Sequence, residues 1–158
     1  MIEMIRSFGD NVRSLLRHLR PTAPRFKSRV AVKVSLLDYT LSKWRGNIPI
    51  MDGQTYNLSS TGLALILPEI TLSGRSMVIE GTTLLVVLDL PNGIARFQAK
   101  PVHFRRADKY VKNSGYVVGI QITQIDDESN RRYQKFIERT ERNEKISSAS
   151  QENNSAMA

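Results

Sequence analysis

Cysteine is missing from this chain. Its absence excludes disulfides and thiolate metal sites, and it fits a reducing cytoplasm. Imidazole is scarce as well: His18 and His103 stand far apart in sequence, which argues against a metal enzyme. No run of about eighteen apolar residues occurs, so no segment reads as a bilayer span. The first residues lack the unbroken apolar stretch of a secretory signal, because charges recur at Glu3, Arg6, Asp10 and Arg13. Internal repeats are not visible. Nor do the residues assemble into a general acid/base pair, a nucleophile with its base, or a phosphate loop, so an enzyme is the least supported class.

What is present suits one domain with tails. The chain has 158 residues, and its 41% hydrophobic content suffices for a real core. A net charge of +8 and a pI near 10.0 favour an anionic partner: a nucleotide, a nucleic acid or an acidic membrane face. Charge alone does not choose among them.

Residues 2 to 19 read as an amphipathic helix, with Ile5, Phe8, Val12, Leu15 and Leu19 on one face. Gly9 weakens its middle by roughly 1 kcal/mol relative to alanine. Such a helix packs on its own domain, connects to something upstream, lies on a membrane surface or forms a short coiled-coil seam. Pro21 and Pro24 end it.

Beyond them the period changes to that of strands. Val30, Val32 and Val34 alternate as in a half-buried strand. Residues 41 to 51, with Trp44, Ile48 and Ile50, read as a second strand, and Asp52-Gly53 as a hairpin turn. Trp44 suits core or rim packing, or stacking on a base. Further strands are expected over 62–67, stopped by Pro68, then over 82–90, 94–104 and 115–123, with Pro91-Asn92-Gly93 as a turn.

About six strands at this spacing predict an antiparallel barrel or sandwich. A helix follows from Asp126-Asp127-Glu128, whose carboxylates suit free N–H groups and the positive end of the dipole. In it, Tyr133, Phe136 and Ile137 are spaced to cover a barrel mouth. The expected division is 1–20 as N-terminal helix or connector, 21–140 as barrel with closing helix, and 141–158 as a polar tail, with residues 147–158 disordered.

Two phrases carry the most information. Arg25-Phe26-Lys27-Ser28-Arg29 has R-x-x-x-R spacing just before one alternating run. Asn57-Leu58-Ser59-Ser60-Thr61-Gly62 has N-x-S-x-x-G spacing just before another. Each alone is weak, since arginine pairs and small polar turns are common. Their order, separation and following strands give the pairing weight.

Together they resemble the two-part signature of PilZ domains, which bind the bacterial second messenger cyclic di-GMP. The likeness covers about residues 20 to 140 and extends to Gly81-Thr82-Thr83-Leu84, to Gly115-Tyr116-Val117-Val118-Gly119-Ile120-Gln121-Ile122 and to Phe136-Ile137. It implies a six-stranded barrel that holds the ligand outside, an arginine linker that folds over it, and no catalysis. By this resemblance Arg25 and Arg29 contact guanine and phosphate, Asn57 and Ser59 contact guanine, and Gly62 shapes the turn. Asn57 stands where the family more often has aspartate, and Ile122 where many members have phenylalanine. Pro24 occupies the position that, in the family, influences whether one or two ligands bind.

The chemistry suits these residue types. A guanidinium fork matches O6 and N7 of guanine with two parallel hydrogen bonds and also pairs with phosphate. Guanine N1–H and N2–H₂ need acceptors, which an Asn57 or Ser59 oxygen supplies. Arg105 and Arg106 are either an additional contact or a solvated strand end.

The expected ligand is cyclic di-GMP, with no cofactor or metal and no nucleic acid. The expected partner is an effector protein or a fused membrane protein, with a homodimer through the N-terminal helix a further expectation. The location is the cytoplasm, including the inner membrane face. Two other readings are a basic barrel for RNA or single-stranded DNA, which lacks the exposed aromatic cluster that stacking needs, and a PilZ-like protein-interaction domain without nucleotide.

Overall fold

The computed structural model describes residues 26–41, 46–107 and 115–156. The expected N-terminal helix, Pro21, Pro24, Arg25 and Trp44 lie outside the described residues.

Six strands close into an antiparallel barrel. In chain order the elements are β1 (Ala31–Leu36), α1 (Leu37–Leu41), β2 (Met51–Leu58), β3 (Gly62–Leu67), a small hairpin of β4 (Thr71–Leu72) and β5 (Arg75–Ser76), β6 (Leu84–Leu90), β7 (Gly93–Arg106), β8 (Tyr116–Ile125) and α2 (Asp127–Ala156). Around the barrel the order is β1-β2-β3-β8-β7-β6, and β1 pairs with β6 to complete the circle. Closure pairs each of the six barrel strands on both sides.

Period-two alternation fills the interior. Leu84, Val86, Leu88 and Leu90 of β6 point inward, as do Leu63, Leu65 and Leu67 of β3 and Val118 and Ile120 of β8. Tyr133 and Ile137 of α2 cap this core. The Asp126 carboxylate accepts from the Ser129 N–H at 2.7 Å, which starts α2 where the acidic cluster predicted. Arg132 then donates to the Ile94 carbonyl at 2.9 Å and Asn92 to the Arg132 carbonyl at 3.1 Å, so the β6–β7 turn anchors the first turns of α2.

Two expectations are corrected. Among the described residues of 41–51 only Met51 lies in a strand, and Asp52-Gly53 is not a turn. The strand is β2, with Val32 opposite Gly53 and Lys33 opposite Asp52. Gly53 is there for space: a Cβ would stand 2.6 Å from the Ile66 carbonyl oxygen and 2.6 Å from Leu67 Cδ2. Asp52 is there for the exposed ion pair with Lys33 at 3.1 Å. Helix α2 runs on to Ala156.

Candidate functional site

The site is built from the chain entering β1 and the turn between β2 and β3. Residues 26–30 continue the β1–β2 ladder. The Phe26 N–H donates to the Leu58 carbonyl at 2.8 Å, and the Leu58 N–H donates back to Phe26 at 2.9 Å. Thr55, fully buried, is the peg of this arm. Its N–H donates to the Val30 carbonyl at 2.9 Å, its hydroxyl oxygen accepts from the Val30 N–H at 2.9 Å, and its hydroxyl donates to the Ser28 carbonyl. Phe26 and Val30 sink into the core, which leaves Lys27 and Arg29 exposed on the arm. The ladder thereby sets Arg29 beside the stretch of β2 that ends in Asn57.

The N-x-S-x-x-G phrase is the turn from β2 into β3. Ser59 is buried, and its groups act within the turn. Its N–H donates to the Gly62 carbonyl at 2.8 Å, and its hydroxyl oxygen accepts from the Gly62 N–H at 3.2 Å. Gly62 lies opposite Gln121, and a Cβ there would come within 2.6 Å of the Ile120 carbonyl oxygen. The close approach that requires glycine is therefore to β8. Ser60 and Thr61 stand exposed at the tip, and Asn57 is half-buried, opposite Ala64 after a bulge in β2.

Strand pairing extends this region across the outer face. Residues directly opposite one another share a face, so Asn57, Ala64, Gly119 and His103 form one row over four strands. Three interstrand steps make that row about 14 Å long. Its middle is small, and the His103 ring covers it: a Cβ on Gly119 would meet the imidazole at 2.2 Å. One neighbouring row holds Gly62, Gln121 and Lys100; the other holds Gln54, Ile66, Val117 and Arg105. No carboxylate occurs in these rows among the described residues, so the face is cationic.

Arg29, Asn57, Ser59 and Gly62 are thus gathered in one quarter of the barrel. Arg105 shares their outer face at the far side, whereas Arg106, the next residue along the strand, points to the other face. Sequence reasoning did not single out His103 or Lys100 for this face. Only the β7–β8 register, with its two bulges, reveals them.

It also gave Tyr133 only an apolar role. Tyr133 is fully buried, and its hydroxyl donates to the Ser59 carbonyl at 2.6 Å. Burial pushes the pKa of this phenol well above its ordinary value, so the hydroxyl remains a donor. Gln134 donates to the Ser60 carbonyl at 3.3 Å. No group of three or more His, Cys, Asp or Glu side chains able to hold a metal is found among the described residues.

Solved structures and family comparisons agree on the fold. The PilZ domain with c-di-GMP of YcgR from Escherichia coli is similar at a TM-score of 0.58 and 13% identity, covering 80% of this chain and 95% of that one. MrkH, described as a c-di-GMP dependence transcription regulatory factor, is similar at a TM-score of 0.50 and 14% identity. That match covers 73% of this chain, which spans about half, 48%, of MrkH. A search of curated proteins found no match. The family model for the PilZ domain matches residues 19–139, most of the chain. This barrel, with its arginine arm and its N-x-S-x-x-G turn, belongs to the PilZ domain family.

Proposed function

We propose that this PilZ domain is a receptor for cyclic di-GMP, acting without catalysis in a bacterial cytoplasm. The observation that carries the reading is the arm ladder, which sets Arg29 alongside Asn57 and the β2–β3 turn on one cationic face. Arg29 and Arg25 act as guanidinium forks toward guanine and phosphate, and Asn57 accepts from the guanine N–H groups. Ser59 and Gly62 act by shaping the turn, and Arg105 reaches the ligand from the far side of the same face. The YcgR domain, whose structure is described as containing c-di-GMP, supports the choice of ligand.

Binding draws the chain that precedes residue 26, Arg25 included, over the ligand and so reorients the N-terminal residues, a population shift that needs contacts made in only one state. The receiver is an effector protein or a fused membrane protein in motility or exopolysaccharide control, with a dimer through residues 5 to 19 as a second mode of output. No helix among the described residues is long and apolar enough to cross a membrane.

Calorimetric titration tests the site. Wild-type protein should take up cyclic di-GMP but not a non-cyclic guanine nucleotide. Arg25→Ala and Arg29→Ala should each weaken binding by about 10- to 100-fold, as expected for losing charge-assisted hydrogen bonds. Unchanged affinity in both variants would overturn the proposed site.

A further inference from the structure

Two consecutive side chains of α2 grip the backbone of the motif turn. The Tyr133 hydroxyl donates to the Ser59 carbonyl at 2.6 Å and stands 3.4 Å from the Gly62 carbonyl, so one group spans both ends of the loop. Gln134 holds the Ser60 carbonyl between them. A phenylalanine would fill the apolar space beside Phe97, whose ring centroid is 6.2 Å away, without burying a hydroxyl. Burying one without a partner is costly, so the tyrosine is explained by the bond it makes.

The same helix then passes the other half of the site. Phe136, Thr140, Asn143 and Glu144 face Lys27 and Ser28 of the arm across an open cleft of about 530 Å³. Helix α2 has 30 residues, so at 1.5 Å per residue it is about 45 Å long. It meets the motif turn at Tyr133 and Gln134 and continues beyond the arm.

We infer that Tyr133 is a positioning residue of the nucleotide site, and that α2, which it ties to the Ser59 carbonyl, is the element through which occupancy of that site is read out. The inference rests on the receptor reading above. A ligand seated between the arm and the turn restrains the loop that Tyr133 holds and draws Lys27 and Ser28 relative to Phe136 and Thr140. Both effects converge on one rigid rod.

The test uses the full chain with cyclic di-GMP, reading affinity by calorimetry and amide exchange along residues 134–147 with and without ligand. In wild-type protein, ligand should slow exchange in this segment several-fold. Tyr133→Phe should raise Kd by about 3- to 10-fold, the effect of one hydrogen bond. It should also abolish the ligand-linked slowing at saturation.

Wild-type binding with no change in α2 would overturn the inference and leave the receptor reading intact. So would a Tyr133→Phe protein that melts earlier yet keeps both its Kd and the slowing. Absence of wild-type binding would remove both readings. Should Tyr133→Phe fail to fold, Gln134→Ala, changed at a more exposed position, replaces it: reduced slowing is expected, and slowing identical to wild type overturns the proposal.

Discussion

Thr55 and Gly62 show how single residues shape the candidate site through hydrogen bonds and close packing. Thr55 holds the arm through three backbone partners while fully buried. Thr55→Val keeps the shape but leaves the Val30 N–H without its acceptor. The expected cost is about 1–3 kcal/mol by urea denaturation, together with faster tryptic cleavage at Lys27 and Arg29. Gly62→Ala drives a methyl against the Ile120 carbonyl oxygen, 2.6 Å away on a backbone that cannot swing aside. It should destabilise the barrel by about 1–3 kcal/mol, read as a lower melting temperature. The family resemblance implies a guanine contact for Ser59; within the protein its hydroxyl accepts from the Gly62 N–H, a bond that sequence spacing does not reveal.

At the scale of elements, α2 depends on its cap. The Ser129 N–H on the Asp126 carboxylate lowers its pKa. A lowered folded-state pKa contributes stability that is fully present above the unfolded value near about 4 and is lost as pH falls below it. Thermal unfolding followed against pH should show this loss in wild-type protein and a flatter profile in Asp126→Asn, which keeps an acceptor but no charge.

The start of α2 was legible because capping chemistry is local. So were β3, β6 and β7, whose alternation follows one buried face. The second strand was not, because Asp52-Gly53 has the composition of a turn, and only its cross-strand neighbours show that glycine serves packing.

For the whole molecule, the barrel class and most of the candidate site were read from two short phrases and a strand rhythm. The remainder required register. Asn57 and His103 are far apart in sequence, and only three strand pairings bring them into one row. The grip of Tyr133 on the motif turn is equally non-local.

The central claim is that one cyclic dinucleotide is grasped between the arm and the β2–β3 turn. Amide chemical-shift mapping with saturating cyclic di-GMP tests it most directly. The largest shifts should fall in residues 26–30 and 57–62, with a second group at Gly119 and Gln121. Shifts confined to the opposite side of the barrel, in β1 and β6, would contradict it.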